Sequence, residues 1–160
     1  MKKQVVILLT VFLFAGGRLL AQKDSVVSLP PITVTATTQI SNVLANAFEK
    51  TFPEAINVYW YKFDKDYLAK FIENDMSHNA LFRKNGVMKY DVSFGYADNL
   101  PAETRQMVES AYPEYNITRA FRVKEGGRDI WVVNLESVNS YVTARVEDNE
   151  LEEVQHFTKS

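Results

Sequence analysis

Apolar and polar positions follow a helical pattern in two parts of the chain. Apolar residues at three-and-four spacing predict a helix from about Ser41 to Phe52 and a second helix that begins near Asn99. Each helix ends at an aromatic-Pro-Glu step, Phe52-Pro53-Glu54 in the first and Tyr112-Pro113-Glu114 in the second. Proline has no backbone donor and disfavours helix in the residue before it. We therefore expect both helices to stop at these steps.

Eight runs of alternating apolar and polar residues predict strands, four after each helix. They lie near residues 57–63, 67–73, 79–84 and 87–96, and near residues 115–124, 129–137, 141–147 and 151–158. The Asn85-Gly86 step between two of these runs is a strong hairpin signal. The predicted fold class is therefore α+β, with two tandem helix-plus-four-strand repeats that form an antiparallel sheet with both helices on one face.

The alternation also assigns each strand residue to one face of the predicted sheet. The face under the helices is predicted to include the alternate residues Tyr67, Ala69, Phe71, Met88, Tyr90, Val92 and Phe94. The opposite face is unusually aromatic, and aromatic residues are favoured anchors in protein interfaces. The residues predicted to bind a protein partner there are Tyr59, Tyr61, Phe63, Ile72, Arg83, Tyr141 and Arg145. The alternative is that the N-terminal arm or a second copy of the chain covers these side chains.

The N-terminus has the parts of a secretory signal peptide. Lys2 and Lys3 precede an apolar run over residues 5–15, and Ala21 stands before a polar stretch. We expect cleavage after Ala21, with an uncleaved anchor as the alternative. The predicted organisation is a signal peptide at 1–21, an extended arm at 22–38, and two repeats at 39–97 and 98–160. The mature protein is predicted in the periplasm or outside the cell, without membrane insertion.

Composition narrows the classes of partner. Cleavage after Ala21 removes three of the 18 basic residues and none of the 20 acidic ones, which leaves a net charge of about −5. Phosphate binding needs a clustered basic surface, so nucleic acid is not an expected partner. The chain has no cysteine, so no disulfide can stabilise it and its stability must come from the core.

Candidate chemical groups are few and scattered. His78 falls in a predicted turn near Asp75, and His156 falls in the last predicted strand. Neither histidine has the spacing of a metal site, which needs three or four converging ligands. The sequence contains no GxSxG motif and no cysteine nucleophile. We therefore predict no enzyme activity, no catalytic residues, no cofactor and no metal.

Several short motifs occur in a recognisable order. They are Ala47-Phe48 followed by Phe52-Pro53, the segment YLAKF at 67–71, Tyr112-Pro113, and the aliphatic strand at 130–135. Together they resemble the PepSY-like family of exported bacterial proteins, whose fold is that of the β-lactamase inhibitory proteins. The resemblance covers the chain from about Ile40 onward. It implies tandem helix-plus-sheet repeats and a noncatalytic role in binding or inhibiting another exported protein.

The sequence therefore favours a noncatalytic exported module that engages a protein or peptide through an open, aromatic sheet face. The expected partner is another exported protein or peptide, and a homodimer is a further expectation. One alternative is a periplasmic carrier of a small apolar ligand. Another is a hydrolase that depends on His78 or His156.

Overall fold

The computed structural model describes residues 38–160, which contain two short helices and eight strands. The helices are α1 (Asn42–Thr51) and α2 (Ala102–Ala111), and a 3₁₀ turn, Ala97–Asn99, precedes α2. The strands are β1 (Ile56–Phe63), β2 (Asp66–Glu73), β3 (Met76–Phe82), β4 (Met88–Gly95), β5 (Asn116–Glu125), β6 (Arg128–Glu136), β7 (Ser140–Glu147) and β8 (Glu150–Thr158). The predicted signal peptide and nearly all of the predicted arm lie outside the described residues. No helix within residues 38–160 combines the length and apolar character that a membrane crossing requires.

The ends of α1 follow from local chemistry. The side chain of Ser41 accepts a hydrogen bond from the Leu44 N–H at 3.3 Å, which satisfies one of the free donors of the first turn. At the other end, the Phe52 N–H donates to the Phe48 carbonyl at 2.8 Å. Pro53 follows immediately, and it cannot donate the next bond. The aromatic-Pro-Glu step therefore ends the helix.

Two-residue turns join most of the neighbouring strands. Asn74-Asp75, Gly126-Gly127 and Asp148-Asn149 each place both residues at positive φ. This is the backbone of the type I′ turn, whose twist matches that of the strands, and Asn, Asp and Gly are the residues that adopt it most easily. Because the Asn74-Asp75 turn between β2 and β3 has only two residues, β3 begins at Met76. His78 therefore lies within a strand, and its predicted position in a turn is wrong.

The predicted fold class of two tandem helix-plus-four-strand repeats is wrong. Most of the described chain is one continuous antiparallel sheet in the order β1-β2-β3-β4-β5-β6-β7-β8, with only two short helices. β4 pairs with β5 over six residue pairs, from Tyr90 opposite Glu125 to Gly95 opposite Ala120. The α+β class and the antiparallel pairing hold. Alternation within each strand identifies the strands, but it carries no information on whether two sets of four strands join edge to edge.

Both helices lie on the same face of this sheet. The residues of one cross-strand row stand directly opposite one another in turn, and they are Phe71, His78, Ser93, Arg122 and Trp131. Phe71 packs in the core cluster that contains the buried residues of α1, and Trp131 packs in the cluster that contains Val108 of α2. Side chains directly opposite across a sheet point to the same side. The row therefore runs under both helices.

The two core clusters leave the middle of the helix face without an apolar cover. One cluster combines α1 with residues of β1, β2 and β3, and the other combines α2 with residues of β5, β6 and β7 together with Met76. β4 contributes no buried apolar residue to either cluster. Its buried residues on this face include Asp91 and Ser93. The middle of the helix face is therefore polar.

A β-bulge explains why the predicted faces of β4 are wrong. The register shifts between Leu81 and Phe82, so Phe82 stands opposite Met88 whereas Leu81 stands opposite Tyr90. A bulge inserts one extra residue, and beyond it the alternation is displaced by one position. As a result Tyr90, Val92 and Phe94 point away from the helices, although the sequence pattern assigned them to the helix face.

The packing of α1 against the β3–β4 hairpin can be tested at Gly86. A Cβ at this position, where φ is +84°, would lie 2.8 Å from the Ala47 Cβ. Gly127 has a similar φ of +86° with nothing within 4 Å of an added Cβ, so it is a matched control. We expect Gly127→Ala to cost about 1 to 2 kcal/mol from backbone strain. Gly86→Ala should cost about 1 to 3 kcal/mol more because of overpacking. Urea unfolding of both variants measures the difference, and equal losses would contradict this packing.

Candidate functional site

The sheet face away from α1 and α2, called the open face below, carries many exposed apolar side chains. No helix or strand within residues 38–160 packs over it. The large apolar residues on this face that are exposed include Tyr59, Phe63, Ile72, Phe94, Tyr141 and Phe157. Exposed apolar surface of this extent commonly marks an interaction site. The open face is therefore the candidate functional site.

The structure places the predicted binding residues at two separate margins of the sheet. Tyr59, which is 52% exposed, and the half-buried Tyr61 lie on β1, and Ile72 lies beside them on β2. Phe63 ends β1. Tyr141 lies on β7, six strand spacings from β1, which corresponds to roughly 29 Å. One short peptide cannot contact both margins at once.

The two predicted arginines have different surroundings. Arg83 is exposed and follows the end of β3, where its N–H donates to the Val87 carbonyl across the hairpin turn. Arg145 on β7 already has partners, because its guanidinium lies 2.7 Å from Glu152 and 3.9 Å from Glu147. Arg83 is the freer of the two to meet a carboxylate of another molecule.

Charged residues between β6 and β8 pair with one another. Arg128 donates two hydrogen bonds to Glu147, at 2.6 Å and 2.8 Å. These hydrogen bonds from Arg128 lower the pKa of the Glu147 carboxyl, burial partly opposes them, and the positive charges of Arg128 and Arg145 lower the pKa further. Lys159 lies 2.7 Å from Glu136 and 4.5 Å from the ring centre of Tyr141. These charged side chains of the open face are therefore already paired with one another.

The centre of the open face contains an aromatic depression that the sequence pattern did not predict. The rings of Phe94 on β4 and Phe121 on β5 meet edge to face, with centroids 5.6 Å apart and an interplanar angle of 89°. Ile72 and Tyr96 line the same depression, which has a volume of about 400 Å³. Edge-to-face aromatic pairs are a favourable arrangement, so the two rings hold each other in place.

Arg119 provides the positive charge of the depression, which Asp75 also lines. Its guanidinium lies 4.6 Å from the ring centre of Tyr96. Within residues 38–160 it forms no ion pair with a carboxylate. A planar guanidinium stacked on an aromatic ring keeps its donors free for bidentate contact with a carboxylate. The depression therefore combines an apolar floor with an available positive charge.

The bulge in β4 explains why the sequence pattern does not reveal Phe94. Alternation that runs unbroken through β4 places Phe94 on the helix face, which is the wrong one. β5 carried a usable signal, since the small buried residue Ala120 is followed by Phe121 and preceded by Arg119. Alternation around Ala120 places its two neighbours on the open face.

The histidines of the described residues do not belong to a metal site. Within residues 38–160, no group of three or more His, Asp or Glu side chains converges as a metal site would require. His156 is partly exposed and lies 3.4 Å from Glu153. Both histidines lie on the helix face, because His156 stands opposite the core residue Val142 and His78 stands opposite the core residue Phe71. The Nδ1 of His78 contacts Asp91. Neither histidine belongs to the aromatic depression.

The ion pair between Arg128 and Glu147 leads to a pH prediction. The folded-state pKa of Glu147 lies below the ordinary value of 4.5, so the pair stabilises the fold above that pH and stops doing so as the pH falls through the lower folded-state pKa. Arg128→Gln should return the Glu147 pKa toward 4.5. The Glu136 pKa, which a hydrogen bond from Lys159 lowers, serves as the control and should not move. Carboxyl NMR titration measures both values, and an unchanged Glu147 pKa would show that Arg128 is not the cause.

Comparison by sequence gives no family assignment. No protein-family profile matches the chain, and no curated protein sequence matches it. Membership of the PepSY-like family, which the motifs resemble, therefore stays a prediction.

Comparison by structure identifies the fold. A BLIP-like protein from Bacteroides fragilis, named for likeness to β-lactamase inhibitory protein, matches with a TM-score of 0.56 and 15% identity over 77% of this chain and 96% of its own. A DUF2874 family protein from Bacteroides ovatus matches with a TM-score of 0.55 and 17% identity over 76% and 89%. A protein from Bacteroides eggerthii whose description suggests the periplasm matches with a TM-score of 0.53 and 13% identity over 76% and 90%. At these identities the likeness shows the fold alone, and that fold is BLIP-like.

Proposed function

We propose that this protein is a noncatalytic binding module of the periplasm or cell exterior that engages another exported protein or peptide through its open face. The observation that carries the proposal is the aromatic depression between Phe94 and Phe121, beside the guanidinium of Arg119, which forms no ion pair among the described residues. Binding hot spots typically combine aromatic anchors with arginine near the centre of an interface. The depression lies over the central strands β4 and β5, where an interface on this face would have its centre.

The chemistry of the depression defines the partner that would fit it. Apolar side chains bury favourably against Phe94, Phe121 and Ile72, at roughly 25 cal/mol per Å² of apolar surface removed from water. A carboxylate one or two residues away in the partner would meet Arg119. The proposed partner segment therefore presents a large apolar side chain close to an aspartate or glutamate.

The residues predicted from sequence extend this surface toward the edges of the sheet. Ile72 lines the depression, and Tyr59 and Tyr61 continue the apolar surface across β2 to β1. We propose these three as contacts of the same partner. Phe63 and Arg83 lie toward the hairpin turns of β1 and β3, and Tyr141 and Arg145 would be reached only by a partner wide enough to cover β7.

The predicted signal peptide and the fold both support the proposed location and role. The predicted signal peptide directs export, and one of the structures with this fold is described in terms that suggest the periplasm. Another is named BLIP-like. Inhibition of an exported enzyme is one form that binding through the open face could take.

A capture experiment tests the proposal with a matched pair of aromatic variants. Phe94→Ala removes one wall of the depression, and we expect it to weaken partner capture from a periplasmic extract by tenfold or more, as hot-spot truncations do. Tyr61→Ala should weaken capture as well. Phe157→Ala removes an equally large exposed aromatic from β8 at the far margin, and it should leave capture unchanged.

Stability measurements make the result interpretable. Phe94 is 39% exposed, so its truncation should change the free energy of unfolding by only about 1 kcal/mol. Equal capture by the Phe94 and Phe157 variants would contradict the proposed site. Native mass spectrometry of the freshly purified protein provides the second check. A copurifying small molecule in place of a polypeptide would favour the alternative role as a carrier of an apolar ligand.

A further inference from the structure

A second cavity lies on the helix face of the sheet, in the polar region that the two core clusters leave without an apolar cover. We call it the central cleft. The central cleft has a volume of about 540 Å³, and residues of β3, β4, β5 and β6 line it. Phe52 at the end of α1 and Asp98 of the 3₁₀ turn also line it. It lies on the opposite side of the sheet from the aromatic depression, and the two cavities share one lining residue, Asp75, at the β2–β3 turn.

His78 on the floor of the central cleft is held in a fixed orientation. Its Nδ1 lies 3.0 Å from one carboxylate oxygen of Asp91 and 3.1 Å from the other. Its ring stacks on Phe71, with centroids 4.8 Å apart, and meets the edge of Phe52. Within residues 38–160, Nε2 has no hydrogen-bond partner. One nitrogen of a rigid imidazole therefore remains free to bind a molecule in the cleft.

Ser93 is a second polar group on the floor without a partner. It is fully buried, it lines the cleft, and its Oγ forms no hydrogen bond with any described residue. A buried hydroxyl left without a partner costs about 1 to 3 kcal/mol. The neighbouring Arg122 does not serve it, because its guanidinium binds Asp129, with the Nε at 2.8 Å. A molecule in the cleft would remove this cost by bonding to Ser93.

The two ends of the cleft carry opposite charge. Lys124 stands directly opposite Asp91 across β4 and β5, and it forms no ion pair within residues 38–160. At the other end Glu73 and Asp75 line the cleft beside the β2–β3 turn. Glu73 also accepts a hydrogen bond from the Glu54 N–H at 3.2 Å, which leaves Asp75 as the more available carboxylate. A third acidic residue, Asp98, lies 3.2 Å from Arg105.

We propose that the central cleft is a binding site for a short peptide with free amino and carboxyl ends. The peptide's ammonium group would lie at Asp75 and Glu73, and its carboxylate would accept hydrogen bonds from Lys124 and Ser93. The five residue-to-residue steps from Asp75 to Ala80, which stands opposite Asp91, span about 17 Å. An extended tripeptide is about 10 Å long, and the side chain of Lys124 bridges the remaining distance. Nε2 of His78, which stands directly opposite Ser93, would accept a peptide N–H close to the carboxylate end.

The proposal for this arrangement is binding. A serine nucleophile is activated by a general base within hydrogen-bond reach. Ser93 Oγ has no hydrogen-bond partner among the described residues, so it is not paired with His78. The His78–Asp91 pair therefore acts in this proposal as a rigid acceptor held in position by its surroundings.

NMR titration with three defined tripeptides tests the proposal. The probes are trialanine, N-acetyl-trialanine and trialanine amide, added to the mature chain of residues 22–160. The protein has only two histidines, so the ring signals of His78 report on the cleft and those of His156 on β8 are an internal control. We expect trialanine to shift the His78 signals alone. Blocking either end should weaken binding at least tenfold, because each block removes one charge-assisted contact.

Two variants and one control assign the contacts. Ser93→Ala and Lys124→Gln should each weaken trialanine binding at least fivefold, whereas Lys84→Gln in the β3–β4 turn should have no effect. The Ser93 variant is expected to fold normally, since the change removes a buried group that has no partner. Absence of a His78 shift at millimolar trialanine would overturn the proposal. Equal affinity for blocked and free peptides would overturn the proposed ligand class.

Discussion

The width of the sheet is the constraint on which the rest of this structure depends. Eight strands side by side span roughly 34 Å, whereas two helices of about 10 Å diameter cover little more than half of that width. The cluster under α1 is built on β1 to β3 and the cluster under α2 mainly on β5 to β7, and β4 contributes to them only the partly buried Met88. The chain places Asp91 and Ser93 at the uncovered positions of β4, where an apolar side chain would gain little from burial.

Each helix is held by a core of different character. Under α1 the core is aromatic, and Phe48 contacts the rings of Phe52, Trp60, Phe71 and Phe82 at centroid distances between 5.0 and 6.1 Å. Under α2 the core is mainly aliphatic, with Val108 packed among valine, leucine and alanine residues of β5 to β7. Met76 joins the second core although it lies on β3. The two halves therefore share packing as well as strand pairing.

Local signals were sufficient to predict the elements but not their assembly. Pro53 and Pro113 mark the ends of the helices, and Asn-Gly, Asp-Asn and Gly-Gly steps mark the hairpins, because each acts through the backbone of the residues concerned. The β4–β5 pairing and the helices' limited reach depend on residues distant in sequence, and no local pattern encodes them.

Local sequence patterns also predict some residues of the candidate sites, whereas other residues meet only through contacts between distant parts of the chain. Tyr59 and Tyr141 were assigned to the open face correctly by alternation, since no bulge interrupts the relevant part of their strands. Phe94 was missed because one extra residue in β4 reverses the alternation beyond it. His78 and Asp91 are 13 residues apart and meet only through the pairing of β3 with β4, so their contact could not be found by spacing.

The strand order has a consequence for how the chain folds. Every strand pairs only with its neighbours in sequence, and six of the seven ladders are closed by connections of two to five residues. The exception is β4 with β5, whose connection of 20 residues includes α2. Closing the longer loop costs about 2 kcal/mol more entropy than closing a two-residue turn, by the logarithmic dependence on loop length. The slowest ladder to nucleate is then the one that joins two sets of four strands into a single sheet.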